Sequence, residues 1–431
     1  MVYKPTTSII AGDQSASSRP RRSHRPRRGA IIIIMILILF ASCNVNTNPA
    51  PVTWKIVHSV NPGLAQNSLN AVAATSSNDA WAVGSFSTSH FDIQGSKVLI
   101  EHWNGSAWSV FNSPATPLGD GVLNGVVAIS PTNAWAVGYA FSESSNSEQH
   151  PLIEHWNGAS WAIVASPTSG AGGQLSAITA LSATDIWAVG YRGTLGHTLI
   201  EHWNGNVWAV VQGPNPGRGQ NFLTGLAAIS SNDVWAVGTF SNGISSIAEG
   251  QELIIHWNGT SWSVVQSASP GLPGNSLSSI VAVSANDVWA VGSSDQGKRT
   301  LLTHWNGTSW GSVEGPNPGT ANNSLSAVVD LSAHDVWVVG SSSSVFVGQQ
   351  AHPLIAHWDG TSWSTFVSPT IGASNTTLNG VGPVPHSTNI WAVGTGATYT
   401  TSVSVSSPNA TGGTSNEIPV TAQTLIETCC S

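Results

Sequence analysis

From residue 52 onward the chain runs in short apolar stretches broken by Gly, Asn, Ser and Pro, and the same succession returns every 48 to 54 residues, measured between successive Val-Trp or Ala-Trp pairs such as Trp81 and Trp135. Each unit has the form LxxVxAxSxxDVWAVG, a variable stretch, then LIEHWNGTSWSVVxSP. Four short strands are predicted per unit: a (as in Leu69–Ala74), b (Ala80–Gly84), c (Leu99–Trp103) and d (Trp108–Phe111). Runs this short, rich in β-branched and aromatic residues and punctuated by turn formers, favour strands over helices. Strands a and b are apolar on both faces, as in Val-Trp-Ala-Val-Gly, so the sheet they form needs neighbours on both sides. Radially stacked blades supply them. All 20 tryptophans fall on three positions of the unit, one within strand b, one ending strand c and one opening strand d. Each removes about 150–250 Å² from water when buried, which is reason enough for its presence in a core.

The two ends of the pattern carry the sharpest inference. The chain enters on a lone strand d, Trp54-Lys55-Ile56-Val57, and leaves on a lone strand c, Leu425-Ile426-Glu427. Together they make one whole unit. In an open array both would be unpaired edges, whereas in a ring the N-terminal strand completes the last blade. The expected fold is therefore all-β, a seven-bladed β-propeller of four-stranded blades over residues 52–431, with its last blade closed by the N-terminal strand. The unit resembles bacterial repeat propellers related in style to the kelch, Asp-box and WD-repeat families, and the split last blade is similar to the closure of WD-repeat propellers. The turn Trp103-Asn104-Gly105-Ser106-Ala107-Trp108 resembles a degenerate Asp-box hairpin, with Asn where that family has Asp in every copy but the one at Asp359.

Charge changes the picture at the N-terminus. Only 8% of residues are charged, and seven of the 13 Lys and Arg precede residue 30, leaving 6 basic against 20 acidic residues and a net charge of −14 for the rest. Such a surface repels polyanions, so no nucleic-acid partner is expected. The basic run Arg19–Arg28, the apolar segment Ile31–Phe40 and Ala41-Ser42-Cys43 follow the order of an export signal. The small residues before Cys43 resemble the bacterial lipoprotein box, in which the Cys thiol is lipidated and becomes the mature N-terminus, although Phe40 stands where Leu is usual. A transmembrane anchor is the rival reading, against which about 12 apolar residues fall short of the roughly 20 a bilayer requires; a signal cut elsewhere, with Cys43 incidental, is another. The domain plan is a signal peptide with lipobox (1–43), a tether (44–51) and the propeller (52–431). It places the domain outside the cell membrane, held only by its N-terminal anchor, as a monomer. With Cys43 set aside, adjacent Cys429 and Cys430 remain, and no disulfide framework holds the fold.

Repeated polar positions invite chemistry and admit plainer roles. His102, His155, His202, His256, His304 and His357 share one position; equivalent atoms on the third strand from a sevenfold axis lie too far apart to share a metal, so each is expected to bond a backbone or carboxylate partner within its blade. Asp79, Asp185, Asp233, Asp287 and Asp335, replaced by Asn133 and Asn389 in two copies, are expected to cap the a–b turn. Glu101, Glu154, Glu201 and Glu427 alternate with Ile255, Thr303 and Ala356, which argues against a repeated catalytic acid. No nucleotide loop, zinc spacing or GxSxG is present, and no cofactor, metal or catalytic residue is assigned.

Recognition is expected on one face. In an up-and-down blade the a–b and c–d turns emerge together, and here they are short and uniform. The b–c connections on the other side run 14, 13, 8, 14, 8, 13 and 30 residues between the Gly of strand b and the Leu of strand c. Long individual loops on a rigid scaffold usually carry recognition. From the aromatic and basic residues in them, which also include Phe91, Phe240, Phe346 and Tyr399, the candidate ligand-binding set is Tyr139, Phe141, Tyr191, Arg192, His197, Lys298 and Arg299. The last and longest insert, Thr395–Thr424, is either part of that surface or an excursion without a role. The function expected is a cell-surface binding or scaffold protein for a glycan, peptide or protein; the alternative is an extracellular glycoside hydrolase of the propeller type, which needs two carboxyls converging in one pocket.

Overall fold

The computed structural model describes residues 52–430 apart from position 65 and segments 89–94, 115–119, 142–147, 169–171, 244–249, 269–273, 345–349, 370–374 and 400–418. The segment 1–43 with Cys43, the tether 44–51, Phe91 and Phe346 lie outside the described residues. Among those described, all regular elements are strands, in seven antiparallel sheets of four. Blade I comprises strands a (Gln66–Ser76), b (Asp79–Ser87), c (Ser96–Trp103) and d (Trp108–Phe111), hydrogen-bonded in that order. Blades II to VI repeat it across Gly121–Val164, Gly173–Val210, Asn221–Val264, Ser276–Val313 and Asn322–Phe366. Their a strands pack side by side around an axis, each against the next, and that of blade VII returns to that of blade I. The chain is a seven-bladed β-propeller.

Blade VII takes strands a (Asn375–Pro383), b (Ile390–Tyr399) and c (Pro419–Cys430) from the C-terminal end and strand d (Thr53–Ile56) from the N-terminal end. The closing register runs from Trp54 opposite Cys429 to Ile56 opposite Glu427. Cys429 is 2% exposed and stands where the other six blades end strand c with tryptophan.

Strands a, b and c extend beyond the predicted apolar stretches. Backbone pairing continues past the last apolar residue because a ladder is satisfied by any extended chain, so Ser85-Phe86-Ser87 pairs residue by residue with Gln66-Asn67-Ser68. Tyr139, Phe141, Tyr191, Arg192, His197 and Arg299 consequently sit on strand ends rather than on loops. The ends of the Thr395–Thr424 insert likewise pair, through Tyr399 opposite Pro419; its middle lies outside the described residues.

Strand a carries a bulge in every blade, placed in blade I between Leu69 and Ala71. Opposite it stands the glycine of Trp-Ala-Val-Gly. A Cβ on Gly84 would lie 2.0 Å from the Ser68 carbonyl oxygen, a contact no side chain survives.

The core lies in the seams between blades. One cluster joins Trp81, Val83 and Ile100 of blade I to Leu123, Ala136 and Trp161 of blade II, and the others are built alike. In that seam the strand-b Trp81 lies against its own His102 at 4.3 Å, the rings tilted, and meets Trp156 and Trp161 of the next blade at 5.0 and 5.1 Å between ring centroids. The arrangement recurs at Trp135, Trp187, Trp235 and Trp289. The closing seams use Trp337 against Trp54 at 5.7 Å and Trp391 against Trp103 and Trp108 at 5.3 Å each. The three tryptophan positions of the unit are thus accounted for by packing in the seams, with most strand-c tryptophans only partly buried there.

Candidate functional site

The repeated histidines do structural work within their blades. Nε2 of His102 donates to Oδ1 of Asp79 at 2.7 Å, and His202, His256, His304 and His357 pair with Asp185, Asp233, Asp287 and Asp335 at 2.7 to 2.8 Å. In blade II the acceptor is the amide oxygen of Asn133, at 3.0 Å. Lacking a carboxylate partner, His155 has its pKa lowered by burial alone. The acids are therefore not the turn caps they were expected to be. The serine three residues earlier caps the turn: the Asn78 N–H donates to Ser76 Oγ at 3.2 Å, and Ser130, Ser182, Ser230, Ser284 and Ser332 do likewise. The Asp turns inward instead, because the histidine opposite offers it a stronger donor in a partly desolvated site. The c–d turns are equally self-contained. Oδ1 of Asn104 accepts from the Ser106 and Ala107 N–H groups, both at 3.0 Å, around Gly105 at φ +92°. That face has spent its polar groups on its own folding.

The repeated glutamates turn out to bridge blades. Glu101, Glu154, Glu201 and Glu427 are fully buried, and each accepts a hydrogen bond from the serine five residues after the strand-d tryptophan of the preceding blade. Ser59 donates to Glu101 at 2.8 Å, Ser113 to Glu154 and Ser166 to Glu201 at 2.7 Å, and Ser368 to Glu427 at 2.5 Å. Desolvation raises the pKa of Glu101, Glu154 and Glu427 to about 7, and that of Glu201 in the same direction. The serine donors, joined at Glu201 by Thr168 and at Glu101 by the Val60 backbone, do not offset the loss of water around a carboxylate. The sequence held a signal for this pairing: where the serine is Gly213 or Gly315, the next blade carries Ile255 or Ala356 in place of Glu.

On the opposite face the repeats diverge. A cavity of about 210 Å³ lies on the axis. Its polar ring is formed by the bulge residues of strand a, Asn70, Asn124, Ser176, Thr224, Ser278, Ser326 and Asn379, and no charged side chain lines it. Asn70, Asn124 and Asn379 each donate an amide N–H to the leucine carbonyl of the following blade at 2.8 to 2.9 Å, which fixes their orientation. Two residues earlier on strand a, toward the d–a and b–c face, stand Ser68, Val122, Gln174, Phe222, Ser276, Ser324 and Thr377. Their partners across to strand b are Ser85, Tyr139, Tyr191, Thr239, Ser293, Ser341 and Thr395.

Those pairings divide the predicted residues into two groups. Tyr139, Phe141 and Tyr191 come together. The Tyr139 ring meets Phe141 at 5.2 Å, the Tyr191 ring meets Phe222 of blade IV at 4.6 Å, and the Tyr191 hydroxyl donates to Gln149 at 2.9 Å. Burial raises the pKa of both tyrosines, Tyr191 adding to the effect on Tyr139. Arg192 ends the same strand half-buried, and His197 is exposed across a four-residue turn. Lys298 and Arg299 lie apart, on blade V, both exposed. Lys298 reaches Asp295 at 3.6 Å, and Arg299 lines a second cavity of about 570 Å³ with Asp295, Glu314, Leu301, Leu302 and Val313. Asp295 and Gln296 in that turn adopt φ of +51° and +58°. Phe222 was missed by the sequence reading, since it falls on strand a, where apolar residues read as core. Among the described residues no group of three or more His, Cys, Asp or Glu converges as a metal site would require.

No protein-family model matches the sequence, and no curated protein matches it either. Solved structures with a similar course of chain include YCF48 from Cyanidioschyzon merolae, 13% identical over 79% of this chain and 95% of that one, with a TM-score of 0.47. A structure of YCF48 bound to a D1 peptide is 14% identical over 77% and 92%, with a TM-score of 0.46. A fungal lectin from Aleuria aurantia, a six-bladed β-propeller with a fucose recognition mode, is 16% identical over 70% and 97%, with a TM-score of 0.42. The fold assignment rests on strand order and not on these likenesses.

Proposed function

We propose that this chain is an exported binding or scaffold protein that recognises a glycan, peptide or protein at the mouth of the axial channel on the b–c and d–a face. The observation that carries the reading is where the repeats stop agreeing. Seams, a–b turns and c–d turns are near-copies around the ring, whereas the layer above the axial residues changes from blade to blade and holds Tyr139, Tyr191 and Phe222 half-buried, with Phe141 beside Tyr139. A rigid ring with one individual face suits recognition. The alternative of a glycoside hydrolase finds less support, because the glutamates with raised pKa are sealed in the seams at 0% exposure, out of reach of a substrate. Replacing Tyr139, Tyr191 and Arg192 together with Ala should abolish capture of the partner recovered with the wild-type protein. Changing Asn104, Asn258 and Asn306 should instead lower only the thermal midpoint, each lost turn acceptor costing about 1 kcal/mol. The reverse pattern would move the site to the other face.

The same reading makes residues 1–43 an export signal ending at a lipidated Cys43 and residues 44–51 a tether that holds a monomeric propeller outside the membrane. The kinship to kelch, Asp-box and WD-repeat propellers belongs to this proposal too. Cys43→Ser should move the protein from the membrane fraction to the soluble one, since a lipid chain supplies about 0.8 kcal/mol per buried CH₂ and its loss leaves a polar tether. Retention of the variant at the membrane would assign the anchor to the apolar segment itself.

A further inference from the structure

The layer that crowns the axial channel is divided in two. In blades V, VI, VII and I every paired position of strands a and b in that layer is Ser or Thr, as in Ser324 opposite Ser341 and Thr377 opposite Thr395. In blades V, VII and I these hydroxyls bond one another or the axial amides, Ser276 with Ser293 at 3.3 Å and Thr377 to Asn379 at 3.3 Å among them. Thr395 donates to Ser68 at 2.6 Å, and Asn379 Nδ2 to the same Ser68 oxygen at 3.4 Å. In blades II, III and IV each pair holds one aromatic ring instead, Tyr139 opposite Val122, Tyr191 opposite Gln174 and Phe222 opposite Thr239. An arc of aromatic rings thus faces an arc of hydroxyls across an axial ring of Asn, Ser and Thr, with no charged side chain in either layer.

We infer, resting on the binding role proposed above, that the mouth of the channel takes an uncharged saccharide. A sugar ring has an apolar C–H face and a rim of hydroxyls, each both donor and acceptor. The aromatic arc offers the first half-buried apolar rings. The hydroxyl arc and the axial amides offer the second partners of matching dual character, which a carboxylate or ammonium could not supply. The absence of charge also selects: an anionic or cationic ligand would leave its water for a ring with no counter-charge to meet it. Tyr139 and Tyr191 remain protonated across the physiological range, because burial raises their pKa further. Arg192 at the rim is the nearest of the predicted basic residues along the strand, and it lies beside the tyrosine layer rather than within it.

The test uses the full chain in detergent and saturation-transfer NMR against neutral mono- and oligosaccharides, sialylated and sulfated counterparts, and a peptide library. Neutral saccharides should bind in preference to charged ones, with transfer concentrated on C–H protons of one ring face. Tyr191→Ala should weaken binding at least tenfold, while Tyr191→Phe, which keeps the ring, should leave it within about threefold. Ser324→Ala with Ser341→Ala should weaken it on the hydroxyl side without changing the thermal midpoint. If no neutral saccharide binds, the inference is wrong. If peptides bind in their place and Tyr191→Ala removes them, the binding role at this mouth stands and the saccharide assignment alone falls.

Discussion

Lowering the pH from 8 to 5 should make this protein more stable, with a rise in thermal midpoint on the order of 10 °C for a domain of this size. The cause is the set of glutamates buried between blades VI and VII, VII and I, I and II, and II and III. In the folded ring Glu101, Glu154 and Glu427 hold their protons up to a pH of about 7, whereas a solvated glutamate releases its proton near 4.5. Between those values the native state binds more protons than the unfolded one, so stability falls as pH rises. The contribution is fully present below pH 4.5 and is lost through pH 7. A shift of that size corresponds to roughly 3 kcal/mol per carboxyl, to order of magnitude. The direction is opposite to that of proteins whose carboxylates are paired with cations. Melting curves at half-unit intervals read it directly. Replacing all four residues with Gln keeps an oxygen to accept the serine hydroxyl and removes the ionisation, so the pH slope should flatten whatever the absolute midpoint. A wild-type midpoint that is level or climbs from pH 5 to 8 would refute the account.

Deleting residues 52–60 should unmake the ring. The strand Thr53–Ile56 supplies the outer edge of blade VII, Trp54 is 7% exposed against Trp337 and Cys429, and Ser59 is the donor to Glu101. Its loss leaves the last strand, Pro419–Cys430, with an open edge and both closing seams short of a partner. Unpaired edges recruit other chains. Self-association by light scattering and a marked fall in thermal midpoint are expected. Trp54→Ala alone should cost about 3–5 kcal/mol, as buried aromatic truncations do. A synthetic peptide of residues 52–60 added to the truncated protein should restore the monomer. A truncated domain that stays monomeric with an unchanged midpoint would show that blade VII closes without its fourth strand.

Much of this fold could be read from single repeats. Val-Trp-Ala-Val-Gly reads as a strand buried on both faces, Asn-Gly-x-Ser as a turn, and the unmatched strand d at Trp54 as the partner of the unmatched strand c at Leu425. The histidines were legible as intrablade donors because strands b and c of one unit are neighbours in sequence and in space. The strand ends were less so. Ser85-Phe86-Ser87 looks like a loop by composition, and it pairs because its backbone does. The aromatic arc was half legible. Tyr139 and Tyr191 stood out as rare residues, but Phe222 on strand a could not be told from core.

What the sequence by itself determined is everything that repeats: the four-strand unit, the sevenfold count, the ring and its closing strand, since each follows from a local pattern of apolar and turn residues copied along the chain. Only the tertiary structure decided what meets across a seam or around the axis. Ser59 reaches Glu101 from 42 residues away and Thr424 from 365, and Tyr191 meets Phe222 in the next blade. Such contacts depend on how one blade is laid against the next and on which side chains the axis draws together. Neither is fixed by the period of a strand, so the buried acids behind the expected pH response and the two-sided layer at the channel mouth emerge only when the ring closes.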